Sequence, residues 1–344
     1  MNAKLFDHEN FKMLPDYTVN FQANSVKIIN YNSELHDIPA VWVRTLGEGV
    51  KIGILDTGLP NHPDLTGKIA DYANFTNEAL ATDVDGHATH VAGKFAAEST
   101  NPNVGIIGIA PKAKLYMGKI MNDHGMGSDK WLAEGIRWCI SKGCHIINMS
   151  LGAPASAEDR FPLSRRAVLE AYAKNIYMFA AVGNEGINSI SLPAKWNEVF
   201  AIVSIDKSSN HSSFSNTGPE ADFSGLGEEV VSTYLGGKYA SLSGTSFASP
   251  DVAAIAALIV SDHLNNTDCK QTPLENFWDM RKHLISICTD LGTVGHDNTF
   301  GWGNPVFSPP TKGLEYNDVG GIIPEPKPIP KVPLFKRLFG WIFG

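Results

Sequence analysis

Cysteine is scarce in this sequence. The 344 residues include four, and no two of them are spaced as a Cys-x-x-Cys pair or as a set of zinc ligands. Three of the four lie in segments predicted as apolar helices, where a free thiol behaves as a small hydrophobic side chain. The four are Cys139, Cys144, Cys269 and Cys288. The pattern gives no reason to require disulfides, which is typical of a reducing compartment.

Long apolar runs and an excess of basic residues are also missing. Residues 1–20 contain neither an apolar run of about 7–15 residues nor an Ala-x-Ala cleavage site, so we expect no secretory signal. No apolar stretch reaches the ~18 residues that cross a bilayer, so we expect no membrane span. The net charge of −8 argues against nucleic acid as a partner, so we expect none. We therefore expect an intracellular, cytoplasmic protein.

Strand and helix patterns alternate from about Val26 to Pro305. Near-continuous apolar runs predict strands that are buried on both faces, at residues 50–56, 113–121, 145–152, 177–184 and 198–205. Apolar residues at helical spacing predict helices at residues 87–98, 128–143, 165–175 and 246–264. This alternation predicts an α/β fold with three layers, in which helices cover both faces of a mostly parallel, doubly wound sheet.

The composition changes near the end of this region. Prolines concentrate in residues 305–333, which we predict to be an extended linker. Residues 334–344 form a short, cationic and strongly apolar tail. The tail suits either an interfacial helix on an anionic membrane surface or packing against the main domain or a partner protein. We assign residues 25–304 to the main domain and residues 1–24 to an N-terminal extension.

Three short segments carry residues that are suited to catalysis. Asp56 ends a predicted strand, whereas His87 and Ser246 each begin a predicted helix. In open α/β sheets, ligands bind outside the carboxyl ends of the strands. The three residues are therefore placed where a catalytic triad could form.

The chemistry of such a triad needs these residue types. A serine hydroxyl is a weak nucleophile and needs a base to take its proton as it attacks. Histidine suits that task because its ordinary pKa of about 6.5 lets it accept and return a proton near neutral pH. A carboxylate fixes the imidazole tautomer and stabilises the imidazolium. The chain order Asp, His, Ser is one of the known triad orders.

Structural alternatives exist for these residues. Asp56 in Asp-Thr-Gly is also a good turn residue, and Ser246 also suits a helix N-cap. Asn184 could satisfy backbone groups in a loop. The run Asp-x-Asp-Gly-His-x-x-His at residues 83–90 could instead be a metal-ligand cluster. A metal-dependent hydrolase would need neither Asp56 nor Ser246.

Three sequence blocks resemble the signature segments of the subtilisin-like (subtilase) family. They are VKIGILDTGLPNHPDL at 50–65, DGHATHVAGKFAAE at 85–98 and SLSGTSFASPDVAA at 241–254. The similarity runs from about residue 40 to residue 304, and the layout is nearest to that of intracellular subtilisins. The resemblance implies a serine endopeptidase that hydrolyses peptide or protein substrates through an acyl-enzyme intermediate and needs no cofactor for the chemistry.

The same resemblance implies a role for each matching residue. Asp56 orients the base, His87 is the base, and Ser246 is the nucleophile. Asn184 donates its side-chain N–H to the oxyanion, together with the backbone N–H of Ser246. His90 is a packed helix residue. A peptide-binding pseudoenzyme remains an alternative, although the complete set of four residues argues against it.

Substrate is expected to bind as an extended strand between two backbone edges. The resemblance implies a primary specificity pocket with small, uncharged walls, which favours an apolar or medium-sized P1 residue and broad specificity. The implied substrate-binding residues are Gly125, Met126, Gly127, Ser150, Leu151, Gly152, Ala153, Ala181, Val182, Gly183 and Ser191.

A structural calcium ion is a further expectation from the resemblance. Asp64 aligns with a carboxylate ligand of the family's calcium site, and residues 100–106 would form the companion loop. Hard oxygen ligands suit Ca²⁺. Pro102 stands where an Asn side chain is expected, so the site is either kept, altered or lost. The implied ligands are Asp64, Thr100, Asn103, Val104 and Ile106.

Three other positions bear on the resemblance. Ala88 replaces a family glycine, which costs nothing if the backbone there is helical but could restrict the pocket if substrate approaches closely. Asp251 stands where the family usually has His. Leu192-Pro193 matches a site where the peptide bond is cis, so we expect a cis bond here.

The N-terminal extension resembles the short leader of intracellular subtilisins. Residues 13–17, Met-Leu-Pro-Asp-Tyr, are similar to a leader segment that crosses the active site in that group. A proline near the scissile position misplaces the bond and removes an N–H, so such a segment can occupy the cleft without being cut. We hypothesise an autoinhibited zymogen; the alternative is a frayed terminus.

Overall fold

The computed structural model of the chain describes residues 17–24, 29–30, 36–101, 103–265 and 274–307. Most of the predicted linker at 305–333, the whole tail at 334–344 and residues 1–16 of the N-terminal extension lie outside these ranges. The boundaries of those segments therefore stay predictions.

Secondary structure within the described residues consists of fourteen strands, six α-helices and short 3₁₀ turns. The strands are β1 (Thr18–Ala23), β2 (Ile29–Asn30), β3 (Lys51–Asp56), β4 (Ile69–Asn74), β5 (Ile106–Ile107), β6 (Lys114–Lys119), β7 (Ile146–Met149), β8 (Tyr177–Ala181), β9 (Phe200–Ile205), β10 (Phe223–Leu226), β11 (Val230–Tyr234), β12 (Lys238–Ser243), β13 (Cys288–Thr289) and β14 (Asn304–Pro305). The α-helices are α1 (Ile38–Trp42), α2 (His87–Ala96), α3 (Asp129–Lys142), α4 (Pro162–Tyr172), α5 (Thr245–Asn265) and α6 (Phe277–Ser286).

The main sheet has seven parallel strands in the order β10-β9-β8-β7-β3-β6-β4. Its central strands are buried along nearly their whole length, as expected of parallel strands that are covered on both faces. A smaller antiparallel sheet joins β1, β12 and β11. The predicted α/β class with a doubly wound sheet is confirmed.

Successive side chains of the central strands enter two different cores. Ile54 and Phe179 pack with residues of α2 and α5, such as Val252, on one face of the sheet. Leu55 and Met178, the next or preceding residues, pack with residues of α3 and α4 on the other face. Because side chains alternate along a strand, one apolar run fills both cores. The result is the predicted three-layer arrangement.

The topological switch of the sheet lies at β3. The chain places β4 and β6 on one side of β3 and then crosses to place β7, β8, β9 and β10 on the other. The segments that follow β6 and β7 therefore diverge on either side of the carboxyl end of β3, which is Asp56. Such a divergence is the usual position of a binding crevice in an open α/β sheet.

Helix α4 begins earlier than its apolar pattern predicts. It starts at Pro162 rather than residue 165, and proline is tolerated at the first helical position. The carboxylate of Asp129 accepts hydrogen bonds from the backbone N–H groups of Leu163 and Ser164, at 3.0 and 2.7 Å. This cap comes from a residue on α3, so no local sequence signal reports it.

Helix α5 corrects the expectation about apolar length. Its 21 residues are long and apolar enough to cross a membrane by composition. However, 83% of its most apolar window is buried inside the protein. Every residue from Thr245 to Ser261 is buried, so the helix is covered on all sides, which is the pattern of a buried core helix.

The cysteines that the structure describes are Cys139, Cys144 and Cys288, and all three are buried free thiols. Burial raises the pKa of Cys139 and Cys288 well above the ordinary value. These side chains act as apolar packing residues, as predicted. The predicted helical location is wrong for two of them, because Cys144 follows α3 and Cys288 lies on β13. Cys269 lies outside the described residues.

Candidate active site

Asp56 and His87 form a buried hydrogen-bonded pair at the switch point. Nδ1 of His87 donates to Oδ1 of Asp56 at 2.8 Å, and the backbone N–H of Thr57 donates to the same oxygen at 2.7 Å. The histidine is 1% exposed and the aspartate is 0% exposed. Because Nδ1 faces an acceptor, it carries the proton, and the lone pair of the neutral ring lies on Nε2.

The turn before His87 is fixed by a second carboxylate. Asp83 accepts hydrogen bonds from the backbone N–H groups of Gly86 and Thr89, at 2.9 and 2.8 Å, and so caps the start of α2. Gly86 has φ 101°, and a side chain there would meet the ring of Tyr234 at 2.4 Å. Glycine is therefore required for the helix to begin at His87.

Burial alone would lower the pKa of His87. The negative charge and hydrogen bond of Asp56, with further charge from Asp85 and Asp83, more than offset burial, so the pKa lies above the ordinary value. The imidazolium is thus favoured by the surrounding carboxylates.

Ser246 lies in the first turn of α5, and the residue after it contacts His87. The ring of Phe247, the following residue, lies 5.3 Å from the imidazole centroid. The hydroxyl of Ser246 donates to the carbonyl oxygen of Ser150 at 3.4 Å. Nε2 of His87 has no hydrogen-bond partner among the described residues. Among the described residues, the hydrogen bond between Asp56 and His87 is therefore formed, whereas the one between His87 and Ser246 is not.

A proline reshapes the first turn of α5. Pro250 lacks the N–H that would bond the carbonyl of Ser246 in a regular helix. The hydroxyl of Ser150 fills this role by donating to Ser246 O at 2.6 Å, and it accepts from Asn148 Nδ2 at 2.9 Å. The fully buried side chain of Ser150 thus holds the first turn of α5. The backbone carbonyl oxygen of Ser150 accepts from the Ser246 hydroxyl.

Asn184 is held in one orientation beside the same turn. Its Oδ1 accepts from the backbone N–H and the hydroxyl of Thr245, both at 2.8 Å. Because a backbone N–H can only donate, the oxygen must face Thr245, and Nδ2 must face the opposite way. Nδ2 is buried and has no partner among the described residues. It is a fixed donor available to an oxygen atom bound near Ser246.

The predicted pocket walls lie side by side. Ala153 pairs with Leu192 through two backbone hydrogen bonds of 3.0 and 2.8 Å, and Ser191 N donates to Val182 O at 2.9 Å. These bonds join the segments 150–153, 181–183 and 191. Any side chain at Gly183 would come within 3 Å of neighbouring atoms, including the hydroxyl of Ser191. The close backbone approach therefore depends on glycine.

Two residues at this pocket were missed in the sequence. Asn216 Nδ2 donates to Glu185 Oε2 at 2.6 Å, and Asn216 Oδ1 accepts from the backbone N–H groups of Glu185 and Ile187. Both side chains also lie near the position of a Cβ on Gly183. Glu185 directly follows Asn184 in the sequence, which was the available signal, but Asn216 is 31 residues away from Glu185.

The other predicted edge follows β6. Gly125 adopts φ 70°, and Gly127 pairs in antiparallel fashion with Met121. The side chain of Asn122 accepts from the backbone N–H of Met126 at 3.0 Å and holds the turn. The segments 125–127 and 150–153 thus follow the two strands that flank β3.

The geometry disfavours a metal cluster at residues 83–90. Nε2 of His90 donates to the carbonyls of Val230 and Ala240, at 3.0 and 3.2 Å, and burial lowers the pKa of His90 to about 3. Asp83 is committed to capping α2. Within the described ranges, no group of three or more His, Cys, Asp or Glu side chains could hold a metal ion.

Three of the five predicted calcium ligands, Asp64, Val104 and Ile106, already have hydrogen-bond partners. Asp64 Oδ2 accepts from Tyr239 Oη and from the backbone N–H of Ile106, both at 3.0 Å. Ser99 donates its hydroxyl to Val104 O at 2.6 Å and its backbone N–H to Ile106 O at 3.0 Å. A calcium ion would need six to eight free oxygens. In this arrangement, the residues present do not fit the ion.

Two other expectations have clear outcomes. Ala88 is the second residue of α2, and its buried side chain packs in the core rather than at a pocket. The helical alternative therefore holds, and alanine suits a helix. The Leu192–Pro193 peptide bond is cis, as the resemblance implies.

Comparison with known proteins agrees with this geometry. A family model described as "Subtilase family" matches residues 47–303. "Subtilisin Savinase" from Lederbergia lenta is 39% identical over 267 residues, which cover 77% of this chain and 92% of that protein. "Intracellular serine protease" from Paenibacillus polymyxa is 40% identical over 254 residues, which cover 71% of this chain and 76% of that protein.

Coverage of the relatives is uneven. "Thermostable alkaline protease" from Halalkalibacterium halodurans is 41% identical over 223 residues, or 64% of this chain, but the match spans only 60% of that protein. The family match nevertheless covers more than half of the chain and includes all three of Asp56, His87 and Ser246. The chain belongs to the subtilase family.

Proposed function

We propose that this chain is a serine endopeptidase that hydrolyses peptide bonds in peptide or protein substrates. One observation carries the proposal: beside Ser246, two buried polar atoms, His87 Nε2 and Asn184 Nδ2, have no partner among the described residues. Buried polar atoms without partners also occur elsewhere in the described part of the domain. Here one belongs to the His87 ring that Asp56 orients and the other to the side chain bonded to Thr245, next to Ser246, and a bound substrate would supply partners for both. The family's relatives, which include proteins named as proteases, support the same conclusion.

The reaction follows from the position of each group. Ser246 Oγ attacks the substrate carbonyl carbon while His87 Nε2 takes the hydroxyl proton. The C–N bond then breaks, His87 returns the proton to the leaving amine, and an acyl-enzyme remains on Ser246. A water molecule attacks this ester in the same way and releases the acid. Asp56 keeps the proton of His87 on Nδ1 and stabilises the imidazolium.

Asn184 stabilises the charge that develops on the carbonyl oxygen. Its Nδ2 is fixed because Oδ1 is bonded twice to Thr245, so no reorganisation is needed at the moment of attack. The backbone N–H of Ser246, near the start of α5, is the second donor. Loss of the equivalent side-chain donor in a subtilisin lowers kcat by about 10²–10³-fold, a magnitude taken from that enzyme.

Specificity is proposed to be broad, with an apolar or medium-sized P1 residue. The pocket walls at Ala153, Val182 and Gly183 are small, and the carboxylate of Glu185 is bonded to Asn216. Backbone pairing to the flanking edges binds any extended peptide, whatever its sequence.

Replacement of Ser246 by Ala tests the proposal directly. The wild-type chain should hydrolyse a peptide anilide and should be labelled by a fluorophosphonate. Ser246→Ala should lose labelling, and its hydrolysis should fall to the low rate that the oxyanion donors and substrate binding support without a nucleophile. Ser261→Ala, which alters a buried serine near the other end of α5, is a control for packing. A wild-type chain that shows neither labelling nor hydrolysis would indicate a pseudoenzyme that binds peptides without cutting them. Hydrolysis that a chelator abolishes and the fluorophosphonate does not would indicate a metal-dependent enzyme.

The pH dependence should report the raised pKa of His87. Protonated His87 cannot accept the serine proton, so kcat/KM should fall as the pH drops through a midpoint above about 6.5. Asp85→Asn removes one carboxylate that raises this pKa, so the midpoint should move to lower pH. Steady-state kinetics between pH 5 and pH 9 measure both midpoints. An unchanged or higher midpoint in the variant would contradict the assignment.

We propose further that the N-terminal extension restricts access to the site. Tyr17 Oη donates to Asp85 Oδ1 at 2.9 Å, and its ring lies 5.4 Å from that of His87 and 5.8 Å from that of Phe247. Strand β1 pairs with β12, where Thr18 lies opposite Ser243. The pairing brings Tyr17 to the mouth of the site. Residues 1–16 lie outside the described residues, so the position of Met13–Asp16 stays a prediction.

Tyr17→Ala should activate the full-length chain. If the variant weakens docking of the extension at the site by roughly 1.4 kcal/mol, the fraction of open sites rises about tenfold, and kcat/KM for a protein substrate should rise by the same factor. Val19→Ala is the matched control, because Val19 lies on β1, two residues after Tyr17, but is 44% exposed. Hydrolysis of labelled casein by each variant measures the effect. Equal rates for wild type and Tyr17→Ala would refute this regulatory role.

The misfit at the calcium loop yields a stability prediction. Hydrogen bonds from Tyr239 and Ile106 satisfy the carboxylate of Asp64, so a chelator should leave the thermal unfolding midpoint unchanged. Tyr239→Phe removes a donor to a buried carboxylate and should lower the free energy of unfolding by about 1.5–3 kcal/mol. Scanning calorimetry with excess EDTA or excess Ca²⁺ checks both. An unfolding midpoint that rises with Ca²⁺ would show that the chain binds the ion after all.

An intracellular location is also a proposal. It is supported by the relative named "Intracellular serine protease". Binding of the tail at 334–344 to a membrane surface or a partner protein is a proposal too, and that segment lies outside the described residues.

A further inference from the structure

Lys94 is a fully buried lysine that the proposed chemistry does not use. It lies on α2, seven residues after His87, and is 0% exposed. Its Nζ pairs with Asp251 Oδ1 at 2.9 Å and donates to two carbonyl oxygens, Phe247 O at 2.8 Å and Leu226 O at 2.5 Å. All three partners lie on other elements, so this side chain joins α2 to α5 and β10.

Asp251 connects the same group to the N-terminal side of the domain. Its Oδ2 accepts from His36 Nε2 at 2.6 Å and from the backbone N–H of Leu226 at 2.8 Å. Nδ1 of His36 faces Pro305 O at 2.6 Å. Burial alone would raise the pKa of Asp251, but Lys94 and His36 more than offset it and lower the pKa below its ordinary value. The carboxylate is therefore ionised within the core.

The two helices joined by this ion pair are those that begin at the reacting residues. An α-helix turns about 100° per residue, so Lys94 lies on nearly the same face of α2 as His87, about 10 Å further along the axis. On α5, Phe247 directly follows Ser246 and Asp251 is one turn later. One side chain on the His87 helix thus holds both a carboxylate and a first-turn carbonyl of the Ser246 helix.

The first turn of α5 needs such support. Pro250 removes one of its N–H donors, and the carbonyl of Ser246 is instead bonded by Ser150 Oγ. The carbonyl of Phe247 receives Lys94 Nζ. Two side chains from outside α5 therefore fix two consecutive carbonyls of the turn that carries the nucleophile. Small displacements of a reacting group can cost large factors in rate.

We propose that Lys94 and Asp251 are positioning residues for peptide hydrolysis: their buried ion pair sets the position of the Ser246 turn relative to His87. The inference rests on the proposed endopeptidase function. A buried ion pair is weak evidence for stability, because desolvation of the two charges opposes their attraction and an apolar pair of similar volume often packs as well. The pair does supply fixed geometry between the two helices.

Lys94→Met tests the inference, because it keeps the length of the side chain and removes all three contacts. Per active site, counted by fluorophosphonate titration, kcat for a peptide anilide should fall about tenfold while KM stays within about twofold. The rate of fluorophosphonate labelling should fall with kcat. A purely structural role would lower the unfolding midpoint without changing kcat of the folded sites.

Lys68→Met is the matched control. Lys68 is also buried, with 8% exposure, pairs with Glu98 and donates to a carbonyl, Pro111 O, at 2.6 Å. None of its partners lies on α5. Its kcat per active site should stay within about twofold of wild type, even if the unfolding midpoint falls.

Asp251→Asn decides the question if Lys94→Met fails to fold, because it keeps the shape of the side chain and removes its charge. We expect a smaller fall in kcat, about threefold to tenfold, again with little change in KM. The positioning role would be overturned if both Lys94→Met and Asp251→Asn kept the wild-type kcat per active site, or if Asp251→Asn did so when Lys94→Met does not fold. The endopeptidase function would then remain intact. A wild-type chain that neither hydrolyses peptides nor reacts with the fluorophosphonate would instead refute the proposed function.

Discussion

The hydrogen bond between Asp56 and His87 is the contact around which the site is arranged. It joins the last residue of the central strand to the first residue of a helix, and both side chains are buried. A buried carboxylate without donors would be costly, so the strand end and the helix start must stay in register. Asp83 holds the start of that helix by capping it. The protonation state and the direction of His87 Nε2 follow from these contacts.

The nucleophile side of the site depends on a helix that is irregular where it begins. Because Pro250 donates no N–H, the carbonyl oxygen of Ser246 lacks its usual helical donor and needs another. Ser150, which directly follows β7, supplies that donor, and Lys94 on α2 donates to the next carbonyl, that of Phe247. The position of Ser246 is thus set by residues from three different elements rather than by its own helix alone. This explains how a buried charged residue on α2 can bear on the reaction.

The sequence predicts the fold class, five strands of the main sheet and four helices, because apolar runs and helical spacing are local signals. Strands β4, β10, β11 and β12 were not predicted, since polar residues or glycine interrupt their apolar runs. The resemblance identifies Asp56, His87, Ser246 and Asn184 as site residues, and the structure brings Asn184 to the turn that carries Ser246. It gives no signal for Asn216 or Lys94, because their partners are distant in sequence and only the folded chain brings them together. The calcium ligands show that a resemblance can also predict too much. An alignment places Asp64 and Val104 at ligand positions, but it cannot show that their oxygens accept hydrogen bonds from Tyr239 and Ser99.

Strand β12 links the N-terminal extension to the nucleophile. It pairs with β1 along one edge and with β11 along the other, and it ends at Ser243, just before Thr245 and Ser246. The backbone of the extension is therefore in register with the segment that leads into α5. Tyr17, immediately before β1, consequently reaches Asp85 and the ring of His87. Release of β1 would remove this ring from the site and one neighbour from β12, while β11 would still hold the strand. The site could then open to substrate without loss of the sheet contact that supports the Ser246 turn.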